Sequence, residues 1–460
     1  MKRRLNLIFI ILLLGSAIIP LGGAIFNVST PNYNPTPLPT MPSVVVNGKV
    51  NQSFFLEFDK YFTLQFPFRT YLISAYNKVN EAVFKESKNE KVIIGEEGYY
   101  FFGETLDDYF KVNTLSTYEL SRLNQVLAIQ NEYLNEKGIK SYFVVVPNKA
   151  TIYPEYMPSH LQPKGENSNL DQLSTLNLSM PFVELKASLL SYKNISEVPL
   201  YHQQDSHWNN VGAVVGYTKI LEVLQKEPLD LIEADFSSVQ DWKSDLARML
   251  YPSSVLLEMQ YYHQLPNEFT FTRAIRTFED VEIESVNPTQ QGSLFVFRDS
   301  FANALIPFIS ESFFGVHYSR AFPYDYKKVD EFNPDVVVIE IAERNINWLL
   351  QQTPKLITQP KEVSIIESST IKLDYILEEK EINNMHFYNA RFEDQKLANQ
   401  ITAIKVVYYE SEYDAFPIYQ DDDVEDDVIE IGFSLYTLEK LDKENIDVFV
   451  KVDNSWIRVE

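Results

Sequence analysis

The segment Ser293-Leu-Phe-Val-Phe297-Arg298-Asp299-Ser300-Phe301-Ala302-Asn303 contains the pattern that decides the fold. The apolar run Leu294 to Phe297 predicts a buried strand, and the residues from Phe301 to about Phe314 have a helical pattern. A serine in the tight turn between them presents its hydroxyl, and its backbone N–H lies at a helix N-terminus, where an oxyanion is favoured. Ser300 is therefore a candidate nucleophile and oxyanion donor. The alternative is that Asp299 or Ser300 is only a helix N-cap.

Helix and strand patterns alternate on both sides of this segment, from about residue 55 to residue 365. Residues 115–137 predict an amphipathic helix, and the apolar runs 142–146 and 336–341 predict buried strands. This alternation predicts an α/β domain with a mainly parallel sheet flanked by helices. Residues 228–290 are less regular, and we predict an insertion or cap over the sheet edge.

The pattern of apolar and polar residues changes after about residue 365. Short alternating segments such as 401–409 and 446–452 predict a small β-rich domain over residues 366–460. The acidic tract 421–427 between them is interpreted as a solvated loop. Calcium binding is the alternative, although the spacing matches no EF-hand loop.

The composition excludes several classes of function. The net charge is −24, and no basic stripe occurs outside the extreme N-terminus, so nucleic acid is not a predicted partner. The chain has no cysteine, which excludes disulfides, thiolate catalysis and cysteine-ligated metal centres. No cofactor and no metal site are predicted.

The N-terminus has the features of a targeting segment. Lys2, Arg3 and Arg4 precede an uncharged apolar run from Leu5 to Phe26. Residues 1–26 are either an uncleaved single-pass anchor or a signal peptide cleaved near Gly23-Ala24. Both interpretations place the remainder outside the cytoplasm, on the cell surface, secreted or periplasmic. Residues 27–54, rich in Pro, Asn and Thr, are predicted to form an extended spacer.

A second motif is Tyr201-His-Gln-Gln-Asp205-Ser206-His207-Trp208-Asn209-Asn210-Val-Gly212. On an extended segment, residues i and i+2 project to the same side, so the Asp205 carboxylate can orient the His207 imidazole. A general base needs such an orienting group. A helix is predicted from residue 211, with Asn209 or Asn210 as its N-cap. The alternative is a capping aspartate and a histidine that only packs beside Trp208.

Taken together, these segments resemble the AlgX/AlgJ-like family of SGNH hydrolase-like proteins, which is associated with alginate O-acetylation, and its DHHW-type relatives. The resemblance covers about residues 90–350. Asp205-Ser206-His207-Trp208 resembles the family's Asp-Thr-His-Trp motif, and Asp299-Ser300-Phe301 resembles its Gly-Asp-Ser-Phe nucleophile motif. The segments that are also similar to the family are Val146-Pro147-Asn148-Lys149, Asp245-Leu-Ala-Arg-Met249, Pro334-Asp335 through Glu340, and Glu343-Arg344. Arg298 departs from the pattern, because it stands where most such motifs have glycine.

The resemblance implies a catalytic triad of Asp205, His207 and Ser300. It also implies O-acetyl transfer to an extracellular polysaccharide, with a membrane-bound acyltransferase as the acetyl source. Candidates for substrate or oxyanion contacts are Lys149, Trp208, Arg298, Asn303 and Arg344. Two alternatives stay open: a carbohydrate esterase or deacetylase with the same triad, and a non-catalytic polysaccharide-binding or assembly protein.

Overall fold

A computed structural model describes residues 38–365, 369–419 and 430–460, together with scattered positions between Arg4 and Phe26. In this part of the chain, no helix has both the length and the apolar character needed to cross a membrane. Most of residues 1–26, the spacer up to residue 37 and the acidic tract lie outside the described residues. The anchor and the solvated loop therefore stay predictions. Within the rest of the predicted spacer, Val45–Val46 and Lys49–Val50 pair as an antiparallel hairpin, so residues 45–50 are not an extended linker.

The described helices lie mainly in the first three quarters of the chain. In chain order they are α1 (Phe54–Gln65), α2 (Arg69–Phe84), α3 (Leu106–Phe110), α4 (Thr117–Glu136), α5 (Lys149–Ile152), α6 (Asn169–Thr175), α7 (Lys186–Lys193), α8 (Asn210–Val223), α9 (Asp245–Leu250), α10 (Ile306–Ser310), α11 (Tyr326–Phe332) and α12 (Gln395–Ala398). Short 3₁₀ helices also occur, and those that position the candidate site are Phe301–Ala304 and Glu343–Leu350. Helix α4 matches the predicted 115–137 helix and begins with a capping box, in which Ser116 and Glu119 bond each other's backbone N–H groups.

A seven-stranded sheet organises the main domain. The strands up to residue 342 are β1 (Val45–Val46), β2 (Lys49–Val50), β3 (Val92–Ile94), β4 (Tyr100–Phe102), β5 (Lys140–Val146), β6 (Phe182–Glu184), β7 (Phe236–Lys243), β8 (Leu257–His263), β9 (Thr270–Phe271), β10 (Glu282–Val286), β11 (Ser293–Phe297), β12 (Gly315–Ser319) and β13 (Val336–Ala342). The sheet has the order β6-β5-β13-β11-β12-β10-β9. Neighbouring strands from β6 to β12 pair in parallel, and β10 and β9 add antiparallel pairs at one edge.

Both faces of this sheet are buried, which explains the continuous apolar runs in the sequence. Along β5, Val144 and Val146 pack into one core cluster, whereas Phe143 and Val145 pack into the other. The same alternation occurs in β11 and β13. Side chains alternate across a strand, so each buried strand contributes to two cores at once. The chain thus has the mixed α/β architecture that the sequence predicts.

The segment 228–290 is only partly what the sequence predicts. Strands β7 and β8 form an antiparallel hairpin outside the main sheet, with α9 between them. Strands β9 and β10, however, pair within the main sheet. The prediction of an insertion or cap therefore does not hold for residues 282–286. Strand β10, next to the edge strand β9, is a short alternating segment, which a single sequence does not separate from a surface hairpin.

Residues 361–459 are β-rich and pack around their own core. The strands are β14 (Lys361–Glu362), β15 (Thr370–Ile371), β16 (Tyr375–Ile382), β17 (Met385–Phe392), β18 (Ala403–Tyr408), β19 (Ser411–Ala415), β20 (Gly432–Thr437), β21 (Ile446–Val452) and β22 (Ser455–Val459). They form a six-stranded sheet, β14-β19-β18-β21-β22-β15, and a three-stranded sheet, β16-β17-β20. Arg122 of α4 donates to the carbonyls of Asn399 and Ile401, at 3.0 Å each, and so ties this region to the main domain.

Candidate active site

The candidate site lies at the carboxyl ends of three adjacent parallel strands. Strand β5 leads to Lys149, β13 leads to Arg344, and β11 leads to Ser300. In open α/β sheets, the carboxyl ends of the strands are where ligands bind, because the loops that leave them converge there. The loop before α8, which carries Asp205 and His207, reaches the same place.

The turn that presents Ser300 is held by the buried carboxylate of Asp299. One Asp299 oxygen accepts from the Phe301 N–H at 2.8 Å. The other accepts from the Ala342 N–H at 2.7 Å and from the Asn345 side chain at 2.8 Å. Asp299 thus ties the end of β11 to the end of β13. Asp299 therefore does more than cap the following helix, which was the alternative interpretation of the sequence.

The loop that carries the histidine is a closed turn and not an extended segment. Tyr201 and Trp208 form an antiparallel bridge, and the His202 N–H donates to the His207 carbonyl at 3.2 Å. Within this turn, Asp205 Oδ1 accepts from the backbone N–H of His207 at 2.9 Å. This is the local i to i+2 bond typical of an aspartate turn. The two-residue spacing therefore brings the pair together through a turn within the predicted loop, and not through the extended segment that the sequence suggested.

The three predicted catalytic side chains converge. The distance from His207 Nε2 to Ser300 Oγ is 2.9 Å, and that from His207 Nδ1 to Asp205 Oδ1 is 2.7 Å. With Asp205 ionised, Nδ1 carries the proton, so the lone pair of Nε2 faces the serine hydroxyl. The His207 side chain is 21% exposed and the Asp205 side chain is 3% exposed, so the base opens to solvent while its orienting group does not.

The pKa shifts of Asp205 and His207 agree with a carboxylate that stays charged and an imidazole that accepts a proton. Burial acts to raise the pKa of Asp205, but the hydrogen bond and charge of His207 outweigh it and hold the pKa well below its ordinary value. Burial acts to lower the pKa of His207, but the hydrogen bond and charge of Asp205 outweigh it and the pKa is raised. Asp205 therefore remains a carboxylate, and His207 is a stronger base than a free imidazole.

The β7–β8 hairpin supplies contacts that were not among the predicted site residues. Asp205 Oδ2 accepts from Trp242 Nε1 at 3.1 Å and from the Asp245 N–H at 2.8 Å. The Asp245 carboxylate accepts from the Ser206 N–H at 2.8 Å and from the Ser206 hydroxyl at 2.6 Å. Glu258 accepts from the Gln203 and Gln204 N–H groups. Only the similarity of the segment 245–249 to the family pointed towards this hairpin.

Three side chains of this network also carry potential metal ligands. One carboxylate oxygen each from Asp205 and Asp245 and one ring nitrogen of His207 lie within 4.8 Å of one another. Their atoms are engaged in the hydrogen bonds just described, and the Asp245 carboxylate bonds Ser206 directly. We therefore interpret the cluster as an orienting network and assign no metal to it.

Lys149, predicted as a substrate or oxyanion contact, faces the protein. Its ammonium donates to the carbonyls of His202, Gln203 and Asp205 at 3.0, 2.9 and 2.6 Å. These three bonds use all three ammonium protons and fix the histidine loop, residues 201–208. Burial lowers the pKa of Lys149 to about 8, although Glu258, Asp205 and Asp245 oppose the shift.

Trp208, Arg298 and Asn303 are likewise engaged with the protein. The Trp208 indole is buried and donates to the Phe301 carbonyl at 2.9 Å. Arg298 donates to the carbonyls of Phe278 and Asp280 at 2.8 Å each, and to Asn303 Oδ1 at 2.5 Å. The guanidinium at the position where a glycine was expected also donates to the Asp299 carbonyl at 3.3 Å, so it is bonded to the turn itself. These polar atoms position the turn, and the substrate or oxyanion roles of Trp208, Arg298 and Asn303 stay predictions.

Arg344 differs from the other four candidates. Its guanidinium lies over the rings of Phe301 and Phe102, at 5.0 and 5.4 Å from their centroids. Among the described residues it makes no hydrogen bond or ion pair. In the same part of the chain, the Ser300 backbone N–H also has no acceptor. Among the described residues, the structure therefore leaves available the Ser300 N–H and a guanidinium that lies over the ring of the next residue, Phe301.

The chain is similar in sequence to known proteins over the segment that carries this site. Residues 92–280 match the family described as an SGNH hydrolase-like domain, acetyltransferase AlgX. The protein named probable alginate O-acetylase AlgJ from Pseudomonas aeruginosa is 27% identical over 173 residues, which is 37% of this chain and 41% of that protein. The alignment thus spans about two fifths of the relative's length.

Two solved structures are similar at lower identity. A DHHW family protein from Eubacterium siraeum has 16% identity and a TM-score of 0.39, over 49% of this chain and 88% of its own. The O-acetyltransferase domain of Pseudomonas putida AlgJ has 15% identity and a TM-score of 0.37, over 55% of this chain and 91% of its own.

We predict that Asp205→Asn lowers the pKa of His207 from its raised value. The amide removes the negative charge that stabilises the imidazolium, while burial and the nearby Arg344 charge continue to oppose protonation. The measurement is an NMR titration of the imidazole signals, with the His207 resonance assigned by its loss in His207→Ala. Glu222→Gln is the control, because this side chain is 54% exposed and pairs with Lys219 on the same helix. An unchanged His207 pKa in Asp205→Asn would show that the carboxylate does not set it.

Proposed function

We propose that this chain, which contains an SGNH hydrolase-like domain of the AlgX/AlgJ-like family, is an O-acetyltransferase that moves an acetyl group through Ser300 onto a polysaccharide. The observation that carries the proposal is the unbroken chain of contacts from Asp205 through His207 to Ser300, at 2.7 and 2.9 Å. The names of the family and of its relatives refer to acetyl transfer and alginate O-acetylation, which supports the choice of acyl group.

In the first half-reaction, Ser300 Oγ attacks the carbonyl carbon of an acetyl donor while His207 Nε2 takes the serine proton. The tetrahedral oxyanion accepts a hydrogen bond from the Ser300 N–H, and the Arg344 guanidinium compensates its charge. The intermediate then collapses, the donor's leaving group departs with the proton held by His207, and acetyl-Ser300 remains.

In the second half-reaction, a sugar hydroxyl attacks the acetyl carbon of acetyl-Ser300. His207 Nε2 now takes the sugar proton and returns it to Ser300 Oγ as the ester bond to the serine breaks. The paired Asp205 stabilises the imidazolium in both halves. The opening to solvent at His207 allows an acceptor to approach from the same side as the base.

The source of the acetyl group follows from the proposed location. We propose that residues 1–26 direct the catalytic domain outside the cytoplasm, on the evidence of Lys2-Arg3-Arg4 before the apolar run. Cytosolic acyl donors are absent there, so the acetyl group must arrive through the membrane or from another ester. A membrane-bound acyltransferase is the proposed donor partner.

We predict that incubation with 4-nitrophenyl acetate places an acetyl group on Ser300. Ser300→Ala and His207→Ala should each lower the rate of nitrophenol release by at least about 10³-fold, and the double variant should be little slower than either single one. Intact-protein mass spectrometry and peptide mapping locate the adduct. Ser159→Ala, which changes an exposed serine, is the matched control. Absence of any adduct in the folded protein would favour a non-catalytic binding protein.

We predict that Arg344→Gln lowers the rate of Ser300 acetylation by about 10²-fold, because loss of one oxyanion-stabilising group typically has this effect. Stopped-flow measurement of the nitrophenol burst reports the step directly. Arg458→Gln is the control, since that arginine lies on β22 in the C-terminal region, where it pairs with Asp447. A wild-type burst rate in Arg344→Gln would remove Arg344 from the mechanism.

We predict that acetyl-Ser300 reacts faster with a suitable oligosaccharide than with water. The acyl-enzyme is prepared first, and its decay is followed by mass spectrometry with and without neutral, amino-sugar and uronic-acid oligomers. Acetylated sugar should accumulate and the decay should accelerate for the right class. Rapid hydrolysis with no sugar acetylated would establish the esterase alternative.

A further inference from the structure

Helix α2 has its polar and apolar faces reversed relative to an ordinary surface helix. Its buried residues are Thr70, Ser74, Asn77 and Asn80. Its opposite side carries Leu72, Tyr76, Val79 and Val83, which recur at helical spacing and are 53–65% exposed. A helix that packs on a protein core normally buries its apolar stripe, so this helix presents that stripe to something else.

The buried polar face accounts for how α2 is held. Asn77 donates to the Leu250 carbonyl at 2.7 Å, and Ser74 bonds the backbone and the hydroxyl of Ser253 at 3.1 and 2.8 Å. These specific bonds fix the rotation of the helix about its axis. The apolar stripe is therefore turned outwards by the fold and is not a loosely attached face.

The preceding helix continues the apolar surface. Helix α1 has no buried residue, and Phe54, Phe58 and Phe62 form a ladder with ring centroids 5.9 and 6.2 Å apart. Phe62 also contacts Phe66, at 5.4 Å between centroids. Phe55, on the same helix, is 82% exposed. The charged residues of α1 are Glu57, Asp59 and Lys60. A helix that combines exposed aromatic rings with charged residues is typical of segments that lie at a membrane–water interface.

The position of the two helices indicates the occupant. Gly23, near the end of the 22-residue apolar run Leu5 to Phe26, is buried against the corner between α1 and α2. A Cβ on Gly23 would lie 2.7 Å from both Pro67 and Phe68. The turn between α1 and α2 therefore contacts the C-terminal end of the apolar run, which is long enough to span a bilayer.

We propose that the exposed apolar surface of α1 and α2 lies in the interfacial layer of a lipid bilayer. This surface is defined by Phe55, Phe62, Leu72, Tyr76, Val79 and Val83. The helix pair would then hold the catalytic domain at a fixed orientation on the membrane, which the extended spacer alone does not provide. The inference does not depend on acetyl transfer, and its test needs no activity.

The absence of cysteine allows the surface to be probed one position at a time. The full chain is reconstituted into phosphatidylcholine–phosphatidylglycerol vesicles after nitroxide labelling of Leu72→Cys, Tyr76→Cys, Val79→Cys or Val83→Cys. Collisions of each label with lipid-soluble oxygen and with a water-soluble nickel complex are measured by power saturation. Lys78→Cys on the flank of the same helix and Tyr409→Cys, at a 69% exposed position in the C-terminal region, are the controls.

The proposal expects oxygen collisions to exceed nickel collisions several-fold at the four stripe positions, and the reverse at Tyr409→Cys, with Lys78→Cys between them. Because a label reports only its own surroundings, insertion of residues 5–26 cannot produce this pattern. Greater nickel than oxygen access at all four positions would overturn the proposal. Labels shielded from both reagents would also overturn it, because they would show cover by protein. The four positions are independent, and circular dichroism identifies any label that prevents folding.

Discussion

The buried carboxylate of Asp205 is the constraint on which the site depends. A carboxylate with a 3% exposed side chain is stable in the interior only if it is fully hydrogen-bonded. Here, one oxygen accepts from His207 twice and the other from Trp242 and the Asp245 backbone. Satisfying this one group therefore requires both the turn of the histidine loop and the docking of the β7–β8 hairpin.

The hairpin is thus part of the site, although it carries none of the three triad residues. Through Trp242, Asp245 and Glu258 it bonds four successive residues of the histidine loop, from Gln203 to Ser206. Lys149 bonds the same loop from the sheet side, with three carbonyls as acceptors. A base that must meet a serine hydroxyl at hydrogen-bond distance needs such support, because small displacements are costly in a triad.

A second carboxylate plays the equivalent role for Ser300, the candidate nucleophile. Asp299 joins the turn after β11 to the end of β13, and both strands end at the same edge of the sheet. Its bond to Phe301 also sets the ring on which Arg344 lies. The serine, its free N–H and the guanidinium are therefore placed by one buried acid. By contrast, the buried polar groups of α2 attach that helix to the rest of the domain, and its apolar side faces outwards.

The sequence by itself determined the mixed α/β class, the position of α4 and of the central strands, and the identity of the converging Asp205, His207 and Ser300. These features are local, since periodicity and short motifs within a few residues encode them. Only the tertiary structure decided which of the polar candidates near the motifs face the site. The sequence predicted ligand contacts for Lys149, Arg298 and Asn303. Their donors instead bond carbonyls and side chains that other segments bring close. Asp245 and Trp242 join the site from about 40 residues away along the chain, and α2 turns its apolar stripe outwards because remote partners at 250 and 253 bind its polar face. Hydrogen-bond partners distant in sequence leave no local pattern, so the direction of each side chain was set by the fold.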